Sequence, residues 1–176
     1  MSIIQLIESK ILDLSFDETP IIIISGPTGI GKSKLAISLA KKINGVIINA
    51  DSMQIYKELK IISSQPSDRD KKIISHELYG IKSIYQKFSV MDWLELVEKK
   101  LDVIFNKNKI PIIVGGTGMY IKSAINGISK IPKVDNEVFQ ECSKLFDKIG
   151  LLEFRKLVKE VDKDFTKKNI DKQRLI

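Results

Sequence analysis

A short glycine-rich stretch that ends in lysine and serine has the clearest chemistry in this sequence. Residues 26–33 read Gly-Pro-Thr-Gly-Ile-Gly-Lys-Ser, which matches the GxxxxGK(S/T) pattern of phosphate-binding loops. An apolar run at residues 21–24 precedes the loop and an amphipathic stretch follows it, so both flanks fit a strand and a helix. Backbone N–H groups of such a loop, together with the helix N-terminus, attract a diphosphate or triphosphate.

The side chains of this loop have distinct expected roles. Lys32 is expected to contact outer phosphate oxygens as a point charge, and the Ser33 hydroxyl is expected to bind Mg²⁺. The alternative is a chance glycine turn, which the matching flanks disfavour. The predicted diphosphate-binding residues are Gly26, Pro27, Thr28, Gly29, Ile30, Gly31, Lys32 and Ser33.

Two further turns are expected at the same edge of the sheet. A buried strand predicted over residues 46–50 ends just before Asp51, and another over residues 110–114 runs into Gly-Gly-Thr-Gly, which contains Thr117. Ligands of open parallel sheets bind beyond the carboxyl ends of the strands, so both side chains are placed for chemistry. Each also has a structural alternative, because Asp51 suits a helix N-cap and the glycines suit a tight strand-to-helix turn.

The surrounding pattern predicts an α/β core followed by helices. Residues 57–75 are polar and irregular, with a loop at 63–68, and Trp93 is expected in the core on a helix. His76 is the only histidine, and a structural role is expected because nothing nearby supplies a metal partner. Strands are predicted at 20–25, 46–50 and 110–114, and helices within 1–19, at 32–43, from 88–92 to 106–109, at 119–125 and throughout 134–176.

Composition limits the kind of protein. The 176 residues are 43% hydrophobic and 29% charged, which is typical of a globular domain. No apolar run approaches the roughly 20 residues that span a bilayer, and no signal sequence is evident, so we expect no membrane contact. The single cysteine, Cys142, gives no disulfide framework and favours a cytoplasmic address. The net charge of +7 is spread along the chain and permits a polyanionic partner.

Three segments occur in an order that resembles one enzyme family. They are GPTGIGKS at 26–33, NADSMQIY at 49–56 and VGGTGMYIKSAINGI at 114–128. Together they closely resemble the tRNA dimethylallyltransferases, also called tRNA isopentenyltransferases, over roughly residues 20–176. HEL at 76–78, FSV at 88–90 and DKQRL at 171–175 fall where that family has similar patterns.

The resemblance implies a reaction and its partners. Members transfer a dimethylallyl group from dimethylallyl diphosphate to the exocyclic amine of the adenosine immediately 3′ of the anticodon. The implied fold is a P-loop NTPase-like parallel sheet flanked by helices, with an inserted helical domain that binds the tRNA anticodon stem-loop. The loop then holds the prenyl diphosphate rather than ATP. We expect a cytoplasmic monomer that uses Mg²⁺.

Site residues follow from the resemblance and the reaction. An aromatic amine is a poor nucleophile, so a carboxylate that accepts its proton would help, and Asp51 is the candidate base. Thr117 is expected to align nucleophile and donor, and Lys32 to stabilise the leaving diphosphate. Phe139 stands where some members carry an arginine that faces tRNA. The predicted tRNA-binding residues are Asp51, Ser52, Met53, Gln54, Thr117, Gln173, Arg174 and Leu175.

Domain limits and alternatives complete the prediction. We expect an N-terminal helical extension at 1–19, an α/β core at 20–132 and the beginning of a truncated helical insertion at 133–176. Family members are considerably longer, so an inactive fragment is one alternative. An ATP-dependent small-molecule kinase and prenyl transfer to free adenine nucleotide are the others. Three arginines in the whole chain are few for clamping a transferred phosphoryl group.

Overall fold

The computed structural model describes residues 3–12, 19–128 and 134–162 of the chain. The chain divides into two compact units, Met1–Ile128 and Ser129–Ile176. Three predicted tRNA-binding residues, Gln173, Arg174 and Leu175, lie outside the described residues. The domain limits proposed from the sequence stay a prediction.

A parallel sheet forms the centre of the first unit. Its four strands among the described residues lie in the order β1-β4-β2-β3, and both β1 and β2 pair with β4. Every residue of β2 is buried, as is every residue of β4 after the first, which is why the sequence shows continuous apolar runs there. The strands are β1 (Ile22–Ser25), β2 (Gly45–Asn49), β3 (His76–Glu77) and β4 (Ile110–Gly115).

Helices cover both faces of this sheet. Neighbouring strand residues point to opposite faces, so Ile47 packs with α2 while Ile48 packs with α4 and its buried Trp93. Trp93 is therefore a core residue, as predicted. The helices of this unit are α1 (Ile3–Leu12), α2 (Lys32–Lys42), α3 (Asp68–Ile73), α4 (Val90–Phe105) and α5 (Gly118–Asn126).

The prediction for residues 57–75 was partly wrong. The 3₁₀ helix Lys57–Leu59 and the helix α3 occupy nine residues of the segment that was expected to be irregular, and another 3₁₀ helix, Ser52–Ile55, lies just before it. Ser67 and Asp70 form a capping box that starts α3 inside the predicted loop. The helix buries none of its residues, so it leaves no apolar periodicity in the sequence. The two-residue strand β3 is too short to show a pattern.

The second unit is helical where the structure describes it. Its helix α6, Asn136–Val161, is interrupted at Gly150, whose φ of 77° is not helical. Phe146 and Phe154 meet across this interruption in an edge-to-face contact with centroids 5.3 Å apart. The predicted helical character is confirmed for this range, and residues 163–176 lie outside the described part. Among the described helices, none is both long and apolar enough to cross a membrane.

Candidate phosphate-binding and catalytic site

The carboxyl ends of three strands meet at one cleft in the first unit. The glycine loop follows β1, Asp51 follows β2, and the second glycine turn follows β4. A cleft of about 380 Å³ is lined by residues of all three segments, and this volume falls within the usual range for small-molecule sites. The structure thus brings together Gly31, Lys32, Ser33, Asp51, Gln54 and Gly115.

The loop takes the left-handed conformation that its glycines permit. Gly31 has φ 95° and ψ 13° and immediately precedes α2. A Cβ atom at Gly31 would meet no atom within 4 Å, so backbone conformation rather than space for a Cβ favours glycine there. The first turn of α2 carries no acidic residue, while Lys32 and Lys34 both line the cleft. The cleft is therefore positive where an anion would meet the helix N-terminus.

Lys32 and Ser33, the two predicted ligand side chains of the loop, both line the cleft. The Lys32 ammonium donates to the Pro27 carbonyl oxygen at 2.8 Å, which holds the charge over the loop. Phosphate oxygens accept stronger, charge-assisted hydrogen bonds than a carbonyl does, so a bound diphosphate can compete for this ammonium. The Ser33 side chain is exposed to the cleft.

Asp51 is a helix N-cap, as one interpretation predicted, and its place at the cleft leaves the chemical interpretation open as a prediction. Its Oδ1 accepts from the Met53 N–H at 2.9 Å, and Asp51 is the N-cap of the 3₁₀ helix Ser52–Ile55. The same residue lines the cleft beside the glycine loop. A carboxylate has two oxygens and about four acceptor sites, so the capping bond does not exclude a chemical role.

Thr117 joins the two turns that follow β2 and β4. Its Oγ1 accepts from the Ser52 N–H at 2.9 Å, its hydroxyl donates to the Ser52 Oγ at 3.3 Å, and its N–H donates to the Ala50 oxygen at 3.2 Å. These bonds hold the segment that carries Asp51. The predicted contact of Thr117 with donor or acceptor stays a prediction.

Gly115 makes the junction of β4 and β2 possible. A Cβ atom placed there would lie 2.1 Å from the carbonyl carbon and oxygen of Ala50, far inside van der Waals contact. Only glycine lets the two strand ends approach this closely. The sequence pattern indicated small residues at this turn, but it did not indicate that the backbone of Ala50 is the neighbour that leaves no room for a side chain.

Gln54 and Met53, two of the predicted tRNA-binding residues, differ in their contacts within the protein. The Gln54 side chain donates to the Ser63 and Ser64 carbonyl oxygens at 2.7 and 3.3 Å, so it anchors the neighbouring turn. Met53 is about half exposed (51%) and follows the cleft-lining Asp51 by two residues in the chain. Their contacts with tRNA stay a prediction.

Sequence reasoning missed two residues of the site. Tyr79 lines the cleft, and its burial together with the negative charge of Asp51 raises the pKa of its hydroxyl above the usual range. Asn49 is fully buried at the end of β2 and bonds to Asp51. A lone amide at the end of an apolar run was the available signal for Asn49, whereas Tyr79 showed none.

His76 has the partners of a structural residue. Its Nδ1 donates to the Ile74 carbonyl oxygen at 2.8 Å, and its ring meets Tyr79 edge-on. Burial lowers the pKa of the imidazole below its usual value, which favours the neutral form. Within residues 3–12, 19–128 and 134–162, no group of three metal-ligating side chains occurs.

The site and the fold together define the class of the protein. A parallel strand that runs through a glycine loop into a helix, with a carboxylate beyond a second buried strand, is the arrangement of P-loop α/β proteins. The chain belongs to the IPP transferase family, whose model matches residues 54–176. A second family model, described as isopentenyl transferase, matches residues 19–87. The resemblance stated from the sequence is confirmed.

Known relatives agree with this assignment. The chain is 48% identical over 145 residues to a tRNA dimethylallyltransferase of Pelagibacter ubique, covering 82% of this chain and 46% of that protein. It is 44% identical over 144 residues to one of Ehrlichia chaffeensis, covering 82% and 46%. The chain thus spans about half the length of these curated relatives.

Solved structures show the same fold. A eukaryotic dimethylallyltransferase acting on tRNA aligns with a TM-score of 0.74 and 27% identity, covering 90% of this chain and 40% of that one. The full-length tRNA isopentenylpyrophosphate transferase of Bacillus halodurans aligns with a TM-score of 0.63 and 28% identity, covering 84% and 49%. The predicted α/β class with a P-loop-like sheet is confirmed.

The junction at Gly115 can be tested by adding one methyl group. Gly115→Ala forces a carbon into the Ala50 backbone, so we expect the free energy of unfolding to fall by about 3 kcal/mol in urea denaturation. Gly118→Ala is the matched control, because a Cβ there meets no atom within 4 Å, and its stability should change by less than about 1 kcal/mol. Equal effects of the two changes would contradict the close-approach argument.

Proposed function

We propose that this chain carries the donor site and the general base of a tRNA dimethylallyltransferase. The reaction joins the dimethylallyl group of dimethylallyl diphosphate to the exocyclic amine of the adenosine immediately 3′ of the anticodon, giving N6-(dimethylallyl)adenosine. The observation that carries this proposal is the single cleft that holds Lys32 and Ser33 of the glycine loop together with Asp51. The activities of the relatives, tRNA dimethylallyltransferases, support the choice of donor and acceptor.

The glycine loop is the proposed diphosphate site. Its left-handed glycines, the acid-free start of α2 and the Lys32 ammonium all favour an anion. The proposed ligand set is the one predicted from the sequence, residues 26–33. Since the prenyl group itself carries no charge, recognition of the donor by charge depends on this loop.

The residues also fit Mg²⁺ that arrives with the diphosphate. Mg²⁺ usually takes one or two protein oxygens, with substrate phosphate oxygens and water completing its shell. The exposed Ser33 hydroxyl in the cleft is such an oxygen, and the described residues offer no cluster of acidic and histidine ligands for an ion on its own. When bound, the ion would neutralise charge that develops on the leaving diphosphate.

Asp51 is the proposed base. The lone pair of the exocyclic amine is delocalised into the adenine ring, so the nitrogen becomes a good nucleophile only as its proton is removed. The C–N bond forms while the C–O bond to diphosphate breaks, the proton passes to the Asp51 carboxylate, and Lys32 stabilises the departing diphosphate. Thr117, which holds the Asp51 segment through Ser52, is proposed to help align the two reactants.

The acceptor is proposed to be the tRNA anticodon stem-loop. The net charge of +7 favours a polyanion, and the helical second unit is proposed to begin the surface that binds it. Phe139 on α6 is about half exposed (49%), so an arginine-type phosphate contact at this position is replaced by an apolar surface. We further propose that the protein acts as a monomer in the cytoplasm, where tRNA is modified.

The kinase alternative finds less support. A glycine loop with a nearby carboxylate also suits phosphoryl transfer from ATP, but clamping of the transferred group normally needs arginines or further cations. Arg69, which lies on α3 of the same unit, does not line the cleft.

Removal of the Lys32 ammonium should weaken donor binding. We expect Lys32→Ala to raise the dissociation constant for dimethylallyl diphosphate roughly 10- to 100-fold, because one charge-assisted hydrogen bond is lost. Isothermal titration calorimetry measures this directly. Lys41→Ala, at the far end of the same helix, has the same change in charge and should leave the affinity within about twofold. Unchanged affinity in Lys32→Ala would refute the loop as the diphosphate site.

Replacement of the carboxylate of Asp51 should slow turnover without loss of donor. Asn has nearly the same shape, and its side-chain oxygen can still accept from the Met53 N–H, so the 3₁₀ helix should persist. We expect Asp51→Asn to lower kcat for transfer of labelled dimethylallyl groups to tRNA roughly 10²- to 10⁴-fold, because a general base is lost. Affinity for dimethylallyl diphosphate should stay within about twofold. Near-normal turnover would remove Asp51 as the base.

A further inference from the structure

We propose that Asn49 is a positioning residue whose buried side-chain amide fixes the backbone of Asp51 and thereby aims its carboxylate into the cleft. This role rests on the proposed function, in which Asp51 is the base. Asn49 is the last residue of β2 and has no exposed surface. A fully buried amide is rare unless all its polar atoms find partners, so its bonds reveal what it does.

The Asn49 side chain grips both polar groups of one residue's main chain. Its Oδ1 accepts from the Asp51 N–H at 2.8 Å, and its Nδ2 donates to the Asp51 carbonyl oxygen at 3.0 Å. With its N–H and its carbonyl oxygen both held, the Asp51 backbone has little freedom to rotate. The direction of the Asp51 Cα–Cβ bond is then set by Asn49, while the bond from the Met53 N–H to Oδ1 restrains the carboxylate at its end.

The second proton of the same amide reaches another segment of the cleft. Nδ2 also donates to the Leu78 carbonyl oxygen at 3.1 Å. Leu78 has a φ of 62°. Residues other than glycine rarely adopt this left-handed conformation without support from their surroundings. Tyr79 follows directly and lines the cleft with Asp51. Asn49 therefore holds two cleft residues in register with each other.

The helix α4 fixes Asn49 in turn. The indole N–H of Trp93 donates to the Asn49 carbonyl oxygen at 2.7 Å. Trp93 has no exposed surface and stacks on Tyr120 with ring centroids 4.5 Å apart. The stacked pair of Trp93 and Tyr120 thus holds Asn49, and Asn49 holds Asp51. Movement of the Asp51 backbone would therefore require rearrangement of the core.

Only asparagine meets the demands of this position. The site needs one acceptor for an N–H and two donors for carbonyl oxygens on a short side chain, which is the inventory of Asn. Aspartate is the same size but, when ionised, would turn an acceptor toward the oxygens of Asp51 and Leu78. Alanine would leave all three main-chain groups without this partner.

The test compares Asn49→Asp and Asn49→Ala with Ser123→Ala. Ser123 is the matched control, because it is also buried and polar but its hydroxyl donates to the Met119 carbonyl oxygen within α5. In transfer assays we expect both Asn49 variants to lose at least about tenfold in kcat while KM for dimethylallyl diphosphate stays within about twofold. Ser123→Ala should keep both constants. Unchanged kcat in both Asn49 variants, or an equal loss in Ser123→Ala, would overturn the positioning role.

A second readout does not depend on activity. Hydrogen exchange of ¹⁵N-labelled chain should show a protected Asp51 amide in the unmodified protein and exchange at least about tenfold faster in Asn49→Ala. The Trp93 indole N–H should stay protected, because its acceptor is the main-chain oxygen of Asn49. Unchanged Asp51 exchange would overturn the proposal. If the unmodified chain transfers no prenyl group, the proposed function fails, and the exchange result alone then decides the role of Asn49.

Discussion

The close approach of Gly115 to Ala50 is the constraint on which the site depends. Because residue 115 has no side chain, the end of β4 can lie directly against the Ala50 carbonyl group that follows β2. This places the hydroxyl of Thr117 within hydrogen-bond distance of Ser52, and so joins the two turns beyond the strands. A wider separation would break the bonds from Thr117 to Ser52 and Ala50, which hold the turn that carries Asp51.

The two halves of the cleft are held in different ways. Within the part of the chain that the structure describes, the Lys32 ammonium of the glycine loop bonds to a carbonyl oxygen of the same loop, and phosphate oxygens are stronger acceptors than that carbonyl. The Asp51 segment is held by a buried amide, by sheet pairing and by Thr117. Such an arrangement suits a reaction in which the base must be oriented before the acceptor arrives. The entropy cost of orienting the base is then met when the protein folds and does not add to the barrier of the reaction.

Local sequence predicted the elements, and distant contacts decided the details. Continuous apolar runs revealed β2 and β4, and the glycine pattern revealed the start of α2, because these signals are local. The short, exposed α3 carried no such signal. Asn49 was missed because its partners Leu78 and Trp93 lie 29 and 44 residues away in the chain. Asp51 seemed to require a choice between cap and chemistry, but two carboxylate oxygens allow both.

Calorimetric titration with dimethylallyl diphosphate and, separately, with ATP, both with Mg²⁺, tests the central claim most directly. The claim is that this glycine loop binds a prenyl diphosphate rather than a nucleoside triphosphate. We expect at least tenfold tighter binding of dimethylallyl diphosphate, which corresponds to about 1.4 kcal/mol. Tighter binding of ATP would contradict the claim and favour a site for phosphoryl transfer. If neither ligand bound, the cleft would not be a donor site in this chain.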